Sequence, residues 1–82
     1  MLLEIIAPDQ KLYSGEVDRI QVPGSKGSFE ILRNHAPIIS TLDQGKIKIV
    51  DLKGGTTFFE VDGGVIEAKN NKIIVLAETN KK

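Results

Sequence analysis

Val65-Ile66-Glu67-Ala68-Lys69-Asn70-Asn71-Lys72-Ile73-Ile74-Val75-Leu76-Ala77 is the stretch that decides the fold. Two apolar runs, Val65 to Ala68 and Lys72 to Ala77, are rich in β-branched residues and flank a pair of asparagines. Their length is that of strands rather than helices. Asparagine tolerates positive φ at both central positions of a tight turn, so Asn70-Asn71 predicts a two-residue β-hairpin.

The same grammar extends outward. Leu3, Ile5 and Ala7 share one face of a first strand, and Leu2, Glu4 and Ile6 the other. Val17 to Val22, Ile38 to Leu42, Lys46 to Ile49 and Thr56 to Val61 read as further strands, with Lys46-Ile47-Lys48-Ile49 alternating cleanly. Turn residues fall between them: Pro8-Asp9, Ser14-Gly15, Pro23 to Gly27, Asp43-Gln44-Gly45, Lys53-Gly54-Gly55 and Asp62-Gly63-Gly64. Helical periodicity over a long window is absent. Short strands with frequent turns predict an all-β fold, a two-sheet antiparallel β-sandwich with an aliphatic filling, or else a small closed barrel. The domain is expected over residues 1–78, with 79–82 as a short solvated tail.

With 82 residues the chain makes one domain, and its only aromatics are Tyr13, Phe29, Phe58 and Phe59. Phe58 and Phe59 are adjacent, so a strand turns one inward and leaves the other as a docking candidate. Eleven basic residues balance eleven acidic ones. A nucleic-acid binder needs a cationic surplus to displace counterions from phosphates, so that class is disfavoured. Cysteine is absent, which excludes a disulfide framework and thiolate metal sites and fits a reducing compartment. The first residues lack the pattern of a signal peptide, and no run approaches the length of a membrane span.

Catalytic chemistry finds little to work with. His35 is the only histidine, and Ser25, Ser28, Ser40 and Asp43 are its nearest nucleophile and acid candidates. Nothing in their spacing assembles a triad, and Pro37 biases Ala36 to extended backbone, so His35 reads as a turn residue. No metal or cofactor is expected, because one histidine and scattered carboxylates give no ligand spacing. Pro23-Gly24-Ser25-Lys26-Gly27-Ser28 lacks the ending and following helix of a phosphate loop and reads as a strand connection. Lys69 beside the hairpin turn suggests an alternative function, a biotin- or lipoyl-type carrier domain modified at that lysine. The residues that usually flank such a lysine are missing.

The run from Gly24 to Leu42, GSKGSFEILRNHAPIISTL, resembles the signature of the epsilon subunit of F-type ATP synthases. That family shows a Gly-rich turn, an apolar pair, a turn ending His-Ala-Pro and an apolar strand. Leu3 to Pro8, Tyr13 to Val17, Gly63 to Glu67 and Lys72 to Glu78 resemble further strands of the family, in order, so nearly the whole chain is covered. Two positions depart. Arg33-Asn34 stands where Pro-Gly is common, and Asn34 can supply the positive φ that glycine would. Glu30 occupies a position that is commonly glycine.

The resemblance implies the β-sandwich of the family's N-terminal domain, in a short form without the C-terminal helical hairpin that most members carry. It implies a non-catalytic rotor subunit of the central stalk that links the gamma subunit to the membrane c-ring and helps couple ion translocation to ATP synthesis. The expected location is peripheral, on the cytoplasmic face of the bacterial inner membrane, without direct insertion. By position in the family pattern, the c-ring contact is expected at Lys26, Ser28, Arg33 and Asn34, on turns at one end of the sandwich. The gamma contact is expected at Ala7, His35, Ser40 and Leu42, on a side face.

Overall fold

The computed structural model describes residues 1–79. Eight strands follow one another: β1 (Leu2–Ala7), β2 (Gln10–Val22), β3 (Phe29–Leu32), β4 (Ile38–Leu42), β5 (Gly45–Asp51), β6 (Thr56–Val61), β7 (Gly63–Lys69) and β8 (Lys72–Glu78). Hydrogen bonding joins them in the order β4-β7-β8-β1-β2-β5-β6, with β3 also paired to β2. The result is the expected sandwich, made by curling one sheet into two layers. The 13-residue β2 belongs to both. Residues Gln10 to Glu16 pair with β1 in the first layer, and Val17 to Val22 pair with β3 and β5 in the second. The register slips between Val17 and Arg19, at the passage between layers. An extra residue in one strand bends it, which lets β2 change sheets without a loop.

Alternation fills the space between layers. Leu3, Ile5, Val17, Ile20, Val22, Ile31, Ile47, Ile49, Ile66, Ile73 and Val75 are fully buried, and among the described residues no polar side chain is. Burying each such aliphatic side chain contributes about 1.5–3 kcal/mol. Phe59 packs against this core while Phe58 stays exposed, as their adjacency requires. The Asn70-Asn71 turn forms as read: both residues have positive φ, 53° and 60°, and Lys69 pairs with Lys72 across them.

Three local expectations are corrected. Ser14-Gly15 is no turn. Both residues lie inside β2, Gly15 opposite Leu3, with the Tyr13 ring lying over the space its missing side chain leaves. Gly63 and Gly64 are strand residues paired with Glu78 and Ala77, and Asp62 alone links β6 to β7. Their φ values of 149° and 147° turn the chain from the second layer back to the first, which a residue with a Cβ resists. One strand pair departs from antiparallel: β1 runs parallel to β8, from Leu2↔Lys72 to Ile6↔Leu76. Parallel neighbours need a long crossover, and here the rest of the chain supplies it. Of the expected tail, Thr79 follows β8 outside any strand, and residues 80–82 lie outside the described residues.

Candidate functional site: turns and an outer sheet face

The sandwich presents two turn clusters, one at each end of β3. Val22 pairs with Phe29 and Arg19 with Leu32, so the loop 23–28 closes one end of this hairpin and the turn after Leu32 leaves from the other.

The loop 23–28 carries Lys26 and Ser28, both exposed. It is stitched to the end of β4, where Ser25 N–H donates to the Thr41 carbonyl at 3.0 Å and Asp43 N–H to the Pro23 carbonyl at 2.7 Å. The Thr41 hydroxyl donates to Ser25 Oγ at 2.9 Å, and Gln21 Nε2 donates to Ser28 Oγ at 3.2 Å. The loop and β4 border an open cleft of about 550 Å3 floored by Phe29, Ile38 and Ile39. Lys26 and Ser28 can therefore meet a partner together, on a loop held at both its margins.

Arg33 and Asn34 sit at the other end. Arg33 Nη2 lies 3.3 Å from Asp18 Oδ1, and Arg19 Nη1 takes the other oxygen at 2.9 Å. The His35 N–H donates to the Leu32 carbonyl at 3.1 Å, closing a β-turn with Asn34 at φ 64° in the position that demands positive φ. The structure thus groups Arg33 and Asn34 with His35 and parts them from Lys26 and Ser28, against the expectation of one common end. His35 is exposed, and its Nδ1 is 2.7 Å from the Ala36 carbonyl oxygen. A carbonyl only accepts, so Nδ1 is the donor in this contact.

Of the other expected side-face residues, Ser40 is half-buried and its hydroxyl donates to the Thr41 carbonyl at 3.0 Å. Ala7 and Leu42 point into the core, 4% and 5% exposed. Lys69 is exposed beside the hairpin turn.

The first layer also carries an apolar outer face that sequence reasoning passed over. Val65 pairs with Thr41 and with Leu76, and Leu76 with Ile6, so these side chains form one row across four strands. Leu76 is 53% exposed, and Ile39, one row along on β4, is 72% exposed. A signal for it existed: Ile73-Ile74-Val75-Leu76 is apolar on both phases of the strand, and a strand apolar on both faces has something to cover each. No helix among the described residues is long and apolar enough to cross a membrane, and no group of potential ligands there could hold a metal ion.

These features define a β-sandwich with exposed turns at both ends of β3 and an apolar outer sheet face. Comparison with known proteins is more particular. All of residues 1–82 match the model of the ATP synthase delta/epsilon chain β-sandwich domain. The ATP synthase epsilon chain of Caulobacter vibrioides is 43% identical over 75 residues, which are 90% of this chain and 85% of that one. The epsilon chain of Maridesulfovibrio salexigens is 42% identical over 82 residues, spanning all of this chain and 57% of that one. Among solved structures, a chain of the Euglena gracilis mitochondrial ATP synthase superposes with a TM-score of 0.89 at 15% identity, over 94% of this chain and 49% of that one. A chain from the central stalk and c-ring structure of the Tetrahymena thermophila mitochondrial ATP synthase gives 0.79 at 18%, over 95% and 63%. At such identities these two likenesses speak for the fold alone. The chain belongs to the ATP synthase delta/epsilon family, and within it to the epsilon chains. As such it is a non-catalytic subunit of ATP synthase. That membership displaces the carrier reading of Lys69.

Proposed function

We propose that this chain is the adhesive and stiffening link of the rotor, joining the gamma subunit to the ring of membrane c subunits so that the two turn together. The separation of its two turn clusters carries the reading. A torque-transmitting part needs two contact zones held apart by something rigid. Here Lys26 and Ser28 lie at one end of β3, His35 with Arg33 and Asn34 at the other, and a fully apolar core lies between the layers.

The ring contact is assigned to Lys26 and Ser28, where a flexible cation reaches carbonyl or acidic groups on ring loops. Exposed pairs of this kind set register and association rate more than affinity. The gamma contact is assigned to the side bearing His35 and Ser40, continued by the apolar row Val65, Leu76 and Ile6. Ala7 and Leu42 support that side from the core rather than touching a partner. Arg33 and Asn34, expected at the ring, are assigned here to the gamma side with His35, whose turn they share. A chain so placed is peripheral on the cytoplasmic face of the bacterial inner membrane.

Native mass spectrometry of this chain with the gamma subunit of the same organism tests the reading. A one-to-one complex at micromolar concentration is expected. Absence of any complex, with both chains folded, overturns it.

A further inference from the structure

Asn34 and Asn71 are 37 positions apart and belong to turns of different layers. The Asn34 backbone N–H donates to Asn71 Oδ1 at 2.7 Å, and Asn71 Nδ2 donates to Asn34 Oδ1 at 2.8 Å. The backbone donor fixes which end of the Asn71 amide must be oxygen. The NH2 end is then necessarily the one that meets Asn34 Oδ1, so the two bonds specify each other.

The segment this clasp holds has little else to hold it. Arg33 to Pro37 are all exposed, and they connect the short β3 of the second layer to β4 at the margin of the first. One backbone bond, His35 N–H to the Leu32 carbonyl, closes the turn on itself. A five-residue exposed link with so few ties would sample many orientations, and ordering it would weigh against any binding that uses it. Asn71 removes that freedom from outside. Its own position is firm, because it sits in a two-residue turn between β7 and β8, both central strands of the first layer.

We infer that Asn71 is a positioning residue for partner recognition: acting through Asn34, it holds the turn that presents His35 in its binding-ready orientation. The inference rests on the reading above that this turn meets the gamma subunit. The clasp also shapes what is presented. Asn34, His35, Ala36, Pro37, Asn70 and Asn71 line an open cleft of about 410 Å3 between the two turns. None of these six carries a fixed charge, and His35 Nε2 and the asparagine amides supply its hydrogen-bonding groups. A neutral polar loop of the partner fits such a cleft, whereas a charged segment would find no counter-ion in it.

Glycine is the clean probe, because both asparagines have φ values that glycine adopts freely, 64° and 60°. Asn-Gly is itself a favoured two-residue hairpin turn, so Asn71→Gly leaves β7 and β8 paired while deleting the clasp. Asn34→Gly deletes only the bond from Asn71 Nδ2, because the backbone N–H at position 34 still reaches Asn71 Oδ1. Asn71→Asp keeps size and backbone tolerance but loses the donor to Asn34 Oδ1. Two readouts are taken on the full chain: amide exchange of residues 33–37 by NMR, and gamma affinity by calorimetry. Every variant is expected to fold. Asn71→Gly should exchange the Asn34 amide at least about tenfold faster and bind gamma about tenfold more weakly, while Asn34→Gly and Asn71→Asp, which keep the backbone donor's bond, should fall between it and wild type. The double glycine variant should lose no more than Asn71→Gly alone, which already removes both bonds. Wild-type affinity in Asn71→Gly, or additive losses in the double variant, overturns the positioning role. Wild-type protein that fails to bind gamma overturns the parent reading instead, and is told apart because no variant is needed to see it.

Discussion

Tyr13 and Phe59 meet edge to face, their ring centroids 6.0 Å apart at 75°. Tyr13 lies in the part of β2 that pairs with β1, and Phe59 lies in β6, so the contact spans the two layers. Half of the chain's four aromatic rings are spent there, packed against the aliphatic core.

Phe59→Ala removes both the buried ring area and the edge-to-face contact. It is expected to cost about 2–4 kcal/mol in urea denaturation. Phe58→Ala, one residue away on the opposite face, is expected to stay within about 0.5 kcal/mol. Equal losses at the two positions would mean that β6 is turned over relative to this structure.

Gly64 sits at φ 147°, and a Cβ built there would collide with the Leu76 carbonyl oxygen. Gly27 has φ 125° with nothing within 4 Å of such an atom. The first substitution meets strain and collision, the second strain alone. Gly64→Ala should therefore lower stability by about 3 kcal/mol or more, and Gly27→Ala by about 1–2 kcal/mol. Midpoints of chemical unfolding, compared at constant slope, separate the two.

Which of these features the sequence could announce follows from their range. Asn70-Asn71 was legible because a two-residue hairpin is a local event with a local chemical requirement, and the alternation of β1 and β5 was legible because it repeats every second residue. Ser14-Gly15 misled because glycine and serine mark turns by frequency, whereas here the glycine lies under a tyrosine ring inside a long strand. Gly63-Gly64 misled for a related reason: the residues needed to turn a strand from one layer to the other are the same residues that end strands. The parallel pairing of β1 with β8 joins the two ends of the chain, and no local pattern encodes it. Of the site, the positive φ of Asn34 was legible from its place before His35-Ala36-Pro37, but its partner Asn71 was not, since that bond exists only once two layers have met. The split between Lys26 and Arg33 was hidden for want of the β2–β3 register.

Arg33 and Asp18 form an exposed pair, with Arg33 64% accessible and Arg19 ready at the same carboxylate. Water and the second arginine both compete for the bond. Arg33→Ala is expected to change stability by less than about 0.5 kcal/mol. The discriminating measurement is association with gamma at low and high salt. If Arg33 lies on the gamma side, its loss slows association at low salt and matters little at high salt, as expected for a rim charge. An Arg33→Ala variant that binds gamma normally but docks poorly on isolated c-ring would return Arg33 to the ring contact.

Gly24 offers a way to injure one end of the molecule and spare the other. A Cβ there would lie 2.6 Å from the Phe29 ring and 2.7 Å from the Gly27 carbonyl oxygen, so alanine must push the loop 23–28 off its seat. The loop's ties to Thr41 and Asp43 would be disturbed with it. The turn carrying His35 leaves from the opposite end of β3 and is held independently through Asn71. The His35 turn shares none of these bonds, and Thr41 touches the gamma face only at the end of its outer row, so the two contacts should respond largely separately. Gly24→Ala is expected to weaken docking on detergent-solubilised c-ring about fivefold or more, while gamma affinity stays within about twofold. Surface plasmon resonance against each immobilised partner reads both. A parallel fall in the two affinities would show that the sandwich does not insulate its ends, and a link that cannot keep its two contacts independent could not act as the rigid spacer proposed here.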